Sequence, residues 1–204
     1  MRRISTILPS LAGLDNGSQR IVTDVIRGIT AEGMHSVFDV VKDFKIYNDG
    51  KVNPAGAIQK ALTEAIGEDV PLWWPPGLYR VDTSALTYTP AVGDEDYAAH
   101  VDGKLSMFGA GRASKIVQVT PNVHLFDIGS DDRSTGNLSI SGLWLETPAG
   151  TGSCLRLRRL VNCTIENIWI PVCGKAGLEI SRCEDNVFGA LRISENVGRP
   201  TLIA

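Results

Sequence analysis

The chain contains few of the residues that build metal centres and disulfide-rich folds. Its 204 residues include three histidines and four cysteines, and no two cysteines form a C-x-x-C pair. A zinc site is therefore poorly supported. The near-even spacing of Cys154, Cys163, Cys173 and Cys183 suggests a disulfide ladder. Buried free thiols are nevertheless the favoured interpretation, because a chain assembled in a reducing cytoplasm keeps its thiols.

Long apolar runs and an excess of one charge are also missing. No stretch approaches the roughly 20 apolar residues that a membrane-spanning helix needs, and the net charge is only −3. We therefore predict no membrane span and no nucleic-acid partner. The start, Met1–Ile4, is similar to the charged end of a signal peptide, but Ser5, Thr6 and Pro9 interrupt the apolar run behind it.

Two short motifs are too incomplete to predict a ligand. Gly109-Ala110-Gly111 lacks the third glycine and the following helix of a phosphate-binding loop, so two strands that meet at a glycine corner fit it better. Asp94-Glu95-Asp96 lies in an irregular polar segment, and three acids without fixed geometry are usually solvated rather than bound to calcium. We predict neither a metal nor a cofactor.

The composition favours an all-β chain with many turns, because glycine is frequent at 21 residues and helical patterns are few. Within residues 36–81, a helical pattern lies between strand-like segments. Asn53 and Pro54 predict the start of this helix, and Gly67 predicts its end. Its apolar stripe consists of Ala57, Ile58, Ala61, Leu62, Ala65 and Ile66.

Residues 1–35 differ from the rest of the chain. Ser18 can cap a short helix that extends to about Thr30, and Gly33 would follow its end. The apolar face of this helix is too small to fold alone. Two interpretations stay open, namely packing against the main domain and attachment to a partner.

Three segments in the C-terminal half repeat one pattern. They read NLSISGLWL from Asn137, NCTIENIWI from Asn162 and DNVFGALRI from Asp185. A second set precedes or lies between them and reads LFDI from Leu125, CLRL from Cys154 and GLEI from Gly177. Short strands that recur with a period of about 20–50 residues indicate stacked repeats.

The two-residue period of a strand assigns the repeated positions to inward and outward columns. The inward columns are Ile140/Ile165/Phe188, Leu143/Ile168/Leu191 and Leu145/Ile170/Ile193, and the outward ones are Ser139/Thr164/Val187 and Trp144/Trp169/Arg192. No single repeat can bury its own apolar face, so like residues must stack on like in parallel strands about 4.8 Å apart. This favours a parallel β-helix over an antiparallel sandwich or jelly roll.

Residues 36–81 also resemble the N-terminal signature of the pectate-lyase superfamily, the right-handed parallel β-helix proteins that include bacteriophage tailspikes. The matching residues are Val40-Val-Lys-Asp-Phe44, Asp49-Gly50, Ala57-Ile58-Gln59-Lys60-Ala61 and Pro75-Pro-Gly-Leu-Tyr79, and Leu105–Gly111 fits the first full coils. Lys45 departs from a frequent glycine, and Asn53-Pro54 departs from paired aspartates. The resemblance implies a right-handed parallel β-helix domain over residues 36–204, with a capping helix in a cap at 36–81 and coils at about 105–196. Residues 1–35 would be an N-terminal attachment or oligomerisation segment.

The resemblance implies carbohydrate substrates that are either cleaved or only bound. Glycoside hydrolysis needs two carboxylates at a defined separation, and a lyase of the pectate type would need a cation site and a basic residue. Outward candidates are Glu146, Glu166, Glu179, Glu184 and Asp185, with Arg156, Arg158, Arg182 and Arg192 nearby. A stack of outward acids and arginines is more typical of a surface salt-bridge ladder, so no catalytic residue is assigned.

Trp144, Trp169 and Arg192 are the candidate binding residues. Trp144 and Trp169 occupy equivalent outward positions in successive repeats, and Arg192 occupies the next. Exposed aromatic rings suit sugar rings, whereas large exposed apolar patches are also typical of subunit interfaces. An interface is preferred here because trimers are usual in phage proteins that resemble this chain.

The favoured hypothesis is a bacteriophage virion structural protein of tailspike or tail fibre type. It would be a homotrimeric scaffold or adaptor in the virion tail, bound to other tail or baseplate proteins through residues 1–35 and close to host-surface polysaccharide. An alternative is the N-terminal part of a polysaccharide depolymerase, either a lyase or a glycoside hydrolase. Further alternatives are a non-catalytic glycan-binding module and, for location, a secreted bacterial protein. The balance favours a non-enzyme.

Overall fold

The computed structural model of the chain describes residues 37–53, 55–82, 86–88, 105–131, 134–148 and 150–196. The predictions for the attachment segment 1–35 and for Asp94–Asp96 lie outside the described residues, as do Pro54 and the tail 197–204. The elements are β1 Phe38–Asp39, β2 Asp49–Asn53, α1 Ala55–Glu68, β3 Leu72–Trp74, β4 Gly77–Val81, β5 Leu86–Tyr88, β6 Ser106–Gly109, β7 Ser114–Gln118, β8 Phe126–Gly129, β9 Thr135–Gly136, β10 Ser139–Glu146, β11 Leu155–Arg158, β12 Leu160–Val161, β13 Thr164–Cys173, β14 Leu178–Ser181, β15 Val187–Gly189 and β16 Arg192–Asn196.

The strands form a curled, all-parallel β structure in the described part of the chain. Ten strands form one large sheet, four form a second sheet (β5, β8, β11 and β14), and β9 and β12 form a short third one. From β8 to β13 the chain visits the second, third and large sheets twice in that order. After β14 it returns to the large sheet through β15 and β16, and an isolated bridge between Val161 and Glu184 takes the place of a strand in the third sheet. Each visit pairs in parallel with the strand of the previous visit, as β10 pairs with β13 and β11 with β14. The chain therefore makes successive circuits that stack on one another.

The register of these circuits is the one that the repeat predicts. Ile140 lies opposite Ile165 and Trp144 lies opposite Trp169 in the pairing of β10 with β13. In the next circuit Ile165 lies opposite Phe188. The predicted alignment of the three repeats is therefore confirmed.

The core lies between the large and second sheets and is filled by the inward columns. Ile140, Leu143 and Leu145 are buried, together with Ile165 of the next circuit. In the last circuit the inward residues Phe188 and Ile193 remain 37% and 40% exposed. A strand at the end of a stack has a neighbour on only one side, which explains the difference.

Helix α1 adds its apolar face to the same core. Ile58, Ala61, Leu62 and Ala65 are buried in the cluster that also contains the inward strand residues, as the predicted stripe requires. No helix in the described ranges is long and apolar enough to cross a membrane.

The end of α1 differs from the prediction. The helix continues through Gly67 to Glu68, and Asp69 is the residue with left-handed backbone, at φ 52°. The N–H of Val70 donates to the carbonyl of Ala65 at 2.9 Å, and the N–H of Asp69 donates to that of Ile66 at 3.3 Å. These two bonds form the usual closing motif of a helix, with aspartate in the place that glycine commonly takes.

Side-chain and backbone contacts shape two turns of the chain. Strand β1 ends at Asp39 because the Asp39 carboxylate accepts from the N–H groups of Val41 and Lys42 at 2.9 and 3.1 Å, which turns the chain. The glycine corner between β6 and β7 is confirmed. A Cβ at Gly109 would lie 2.6 Å from the carbonyl oxygen of Gly142, so the corner requires glycine.

Candidate functional site

A column of aromatic and cationic side chains crosses four consecutive circuits on the outward face of the large sheet. Lys115 of β7 lies opposite Trp144 of β10, which lies opposite Trp169 of β13. Arg192 of β16 lies opposite Trp169 on its other side. Arg112, from the short 3₁₀ helix Gly111–Ala113 between β6 and β7, reaches the same indole. We call these five residues the tryptophan–cation column.

The two indoles of this column stack on one another and carry cations. Their ring centroids are 5.6 Å apart and the planes differ by 7°. The Lys115 Nζ lies 4.5 Å from the Trp144 ring centroid. The guanidinium carbons of Arg112 and Arg192 lie 3.3 and 5.3 Å from the Trp169 centroid. Cations at these distances are attracted to the ring faces.

The two indole N–H groups of the column have different environments. The Trp144 Nε1–H donates to the Glu146 carboxylate, which lies two residues further along β10. The Trp169 Nε1 is buried and has no acceptor among the described residues. Glu146, a sequence-predicted acid, therefore holds the orientation of an indole.

The three cations of the column have no acidic partner among the described residues. Arg112 and Arg192 are exposed and Lys115 is half-buried. None of the three forms an ion pair with any residue in the described ranges. The column therefore presents three positive charges to solvent beside an aromatic pair.

A different arrangement covers the outward face of the second sheet. Asp127, Arg156 and Glu179 lie opposite one another in β8, β11 and β14. Arg156 contacts both acids, with 3.5 Å from Nη1 to Asp127 Oδ2 and 3.5 Å from Nε to Glu179 Oε1. We call this row the charge ladder. It is a salt-bridge ladder of the kind predicted for the outward acids and arginines, and it includes Asp127, which was not among the predicted candidates.

Further charged residues form ion pairs with the two acids of the ladder. The Arg158 Nε donates to Asp127 Oδ1 at 3.0 Å, and its Nη1 lies 2.7 Å from Asp131 Oδ2. At the other end Lys175 Nζ lies 3.1 Å from Glu179 Oε2. Acids and bases thus alternate, and each buried or half-buried acid of the ladder has a cationic partner.

The environment of Glu179 keeps it ionised. Burial acts to raise its pKa, but hydrogen bonds from Lys175 and from the Ser153 hydroxyl, 2.9 Å away, together with Arg156, outweigh it. The pKa of Glu179 therefore lies below its ordinary value of 4.5. A carboxyl group with a lowered pKa is a poor proton donor near neutral pH.

His124 lies beside the ladder in a neutral form. The Ser153 N–H donates to its Nδ1 at 3.0 Å. Burial and the positive charge of Arg156 lower its pKa below 6.5, against the opposing effects of Asp127 and Glu179. A neutral imidazole that accepts a backbone hydrogen bond acts here as a structural contact of the ladder.

The remaining candidates do not converge on one site. Glu166 lies half-buried on β13 of the large sheet. Glu184 and Asp185 are exposed in the turn between β14 and β15, and Arg182 is exposed at the start of that turn. Among the described residues, no group of three or more His, Cys, Asp or Glu side chains is placed to hold a metal ion.

Sequence reasoning missed Arg112, Lys115, Asp127 and Lys175 as site residues. A signal existed for Asp127, because aligning LFDI with CLRL and GLEI already places it in line with Arg156 and Glu179. No periodic signal existed for Arg112, because it lies in a 3₁₀ helix outside the repeated strands.

Comparisons with known proteins give one distant likeness. No protein-family model matches the chain, and no curated protein matches it. Among solved structures it is similar to the catalytic unit of a thermostable GH87 α-1,3-glucanase from Streptomyces thermodiastaticus strain HF3-3, with 15% sequence identity and a TM-score of 0.35. The match covers 77% of this chain and 41% of the glucanase, so the chain spans less than half the length of that structure.

Proposed function

We propose that the chain is a right-handed parallel β-helix with α1 as the cap of its first coil. The stacked circuits support this architecture, because each returns to the second and large sheets in parallel register. Right-handed crossovers are the rule between parallel strands. The four buried apolar residues of α1 support a capping role, since an uncovered first coil would expose its core.

The function proposed for this scaffold is non-catalytic attachment to a polysaccharide-bearing host surface, as a virion structural protein of tailspike type. The charge ladder is the observation that carries the non-catalytic part. Asp127 and Glu179 are two outward acids on neighbouring circuits, but Arg156 separates them and pairs with both. Glycoside hydrolysis needs one protonated and one ionised carboxyl group. Glu179, whose pKa is lowered by its cationic partners, is a poor candidate for the protonated one.

The assembly proposed for it is a homotrimer in the virion tail, with residues 1–35 bound to other tail or baseplate proteins. The trimeric assembly and its tail partners are proposed because residues 36–81 resemble a superfamily that includes bacteriophage tailspikes. Glycan contact through the tryptophan–cation column would then place the sugar on the outward face of the coils.

One binding and activity experiment separates this function from its alternative. The full chain is incubated with a panel of bacterial surface polysaccharides, and retention on each polysaccharide is measured beside the release of reducing ends and of unsaturated sugar. Retention without product supports an attachment scaffold. Product release from any polysaccharide would overturn the proposal in favour of a depolymerase, and absence of retention on every one would also overturn it.

Light scattering tests the assembly on its own. A trimer is expected for the full chain. A monomer at micromolar concentration would contradict the trimeric assembly while leaving the binding result unaffected.

A further inference from the structure

In the tryptophan–cation column the charged groups are more accessible to a ligand than the faces of the indole rings. In the register of the strands, Trp144 lies between Lys115 and Trp169, and Trp169 lies between Trp144 and Arg192. The cations and the neighbouring indole are close to the ring faces. The flat surfaces on which a neutral sugar would stack are therefore largely occupied.

Two guanidinium groups of the column meet at one indole. Arg112 and Arg192 both contact Trp169, and both are exposed without an acidic partner in the described part of the chain. A guanidinium offers five N–H donors in a planar fork that suits the oxygens of carboxylate and phosphate. One ligand group that meets both forks has two positive charges to balance.

The charge balance selects among oxyanions. A carboxylate or a sulfate ester carries a single negative charge. A phosphate monoester carries about 1.5 to 2 negative charges at neutral pH. We infer that the tryptophan–cation column binds a phosphate monoester carried on a surface glycan, with Arg112 and Arg192 as its direct ligands and Lys115 as an additional positive charge. This inference rests on the proposed attachment function and names the chemistry that the glycan must carry.

Other occupants fit the column less well. A second copy of the chain that met this face symmetrically would bring together two or more sets of three cations that have no acidic partner in the described ranges, and like charges across an interface repel. A nucleic acid binder commonly neutralises about 6 to 10 phosphates, whereas this column has three cations on a chain with a net charge of −3. The number of cations in the column therefore suits one ligand group with about two negative charges.

Tryptophan signals make the binding directly measurable. The chain has four tryptophans, and Trp73 and Trp74 are fully buried, so Trp144 and Trp169 report on ligands at the surface. The full chain is titrated with glucose 6-phosphate, glucose 6-sulfate, glucuronate and glucose while tryptophan fluorescence and the indole N–H resonances are recorded. Glucose 6-phosphate is expected to give a saturable change that inorganic phosphate reverses. The other three sugars are expected to bind at least about tenfold more weakly, because sulfate and carboxylate carry one negative charge where phosphate carries about 1.5 to 2, and glucose carries none.

Matched variants identify the ligands. Arg112→Gln and Arg192→Gln each remove one exposed guanidinium and are expected to weaken glucose 6-phosphate binding by about tenfold or more. Arg182→Gln removes an exposed guanidinium in the turn after β14, away from the column, and is the control. Circular dichroism establishes that all three variants are folded.

A pH series adds a readout that only phosphate would move. Glucose 6-phosphate binding should weaken as the pH falls from 7 to 5, because the phosphate takes up its second proton near a pKa of about 6. Absence of any response to glucose 6-phosphate, equal binding of glucuronate or sulfate, or equal loss in Arg182→Gln would overturn the inference. Tighter binding of single-stranded DNA at the same indoles would overturn it too. Retention on a surface polysaccharide that phosphate does not reverse would refute this inference while leaving the attachment function intact.

Discussion

The closeness of the stacked circuits makes a sharp prediction for Gly129. This residue ends β8 and lies opposite Arg158 of β11 in the next circuit. Its φ is +96°, and a Cβ built on it would lie 1.9 Å from the Arg158 carbonyl oxygen and 2.9 Å from the carbonyl carbon. Both atoms belong to the backbone, so no side-chain rotation can relieve the contact.

Gly129→Ala should therefore destabilise the protein in two ways. The left-handed backbone costs an L-residue roughly 1–2 kcal/mol, and insertion of a methyl group into a close-packed site typically costs about 1–3 kcal/mol. Their sum is about 2–5 kcal/mol, a large part of the roughly 5–15 kcal/mol that holds a typical domain folded. Urea unfolding followed by far-UV circular dichroism measures the change in the free energy of unfolding.

Gly67→Ala makes the same chemical change with the opposite expected sign. Gly67 is an exposed residue inside α1, and no atom lies within 4 Å of a Cβ built there. Alanine should stabilise the helix by about 0.8–1 kcal/mol. If Gly129→Ala remained within about 0.5 kcal/mol of wild type, the usual range of neutral surface changes, the close stacking of β8 on β11 would be wrong.

Three further predictions concern the core, the charge ladder and the thiols. Ile165→Ala should lower the free energy of unfolding by about 2–5 kcal/mol. Thr164→Ala, on the outward face of the same strand, should change it by less than about 1 kcal/mol. Equal losses for the two variants in urea unfolding would contradict the assignment of Ile165 to the inward face and Thr164 to the outward face. Because the folded pKa of Glu179 is lowered, its ionised form stabilises the fold above the unfolded pKa near 4.5, and this contribution is lost as the pH falls through the folded value. Glu179→Gln should therefore lose less stability than wild type between pH 7 and pH 3, and an unchanged pH dependence would count against the ladder. None of the four cysteines, all of which lie in the described ranges, forms a disulfide bond, and burial raises the pKa of each thiol. A thiol reagent at pH 7 should therefore reach the half-buried Cys183 first and the other three only on unfolding. Early reaction of any other thiol would refute this order.

Parts of the fold that repeat along the chain were predictable from the sequence. The alignment that starts at Asn137, Asn162 and Asp185 is the register of the folded strands. These three residues also share a left-handed backbone, with φ of 56°, 56° and 51°. Asparagine and aspartate tolerate this conformation better than most residues. The first residue of each repeat therefore indicates the position of a turn. The local sequence pattern was sufficient to predict the register, because each strand pairs with the equivalent strand of the neighbouring repeat.

Other parts depended on the tertiary structure. The sequence placed Trp144 and Trp169 in one outward column, but it did not indicate that Arg112 and Lys115 would cover and charge them. Arg112 reaches Trp169 from a 3₁₀ helix, which does not follow the two-residue period of a strand. The partners of a charged side chain are likewise set by distances across the stacked circuits.

The sequence by itself determined the repeat, the inward and outward faces and the aromatic pair, because alternation along a strand and identity between repeats are both written in the order of residues. Only the tertiary structure decided which charges are satisfied. It paired Asp127 and Glu179 with Arg156, and it gave Arg112, Lys115 and Arg192 no acidic partner within the described part of the chain. The energy of a charge depends on what lies within a few ångströms of it in space, and that neighbourhood exists only after the circuits have stacked.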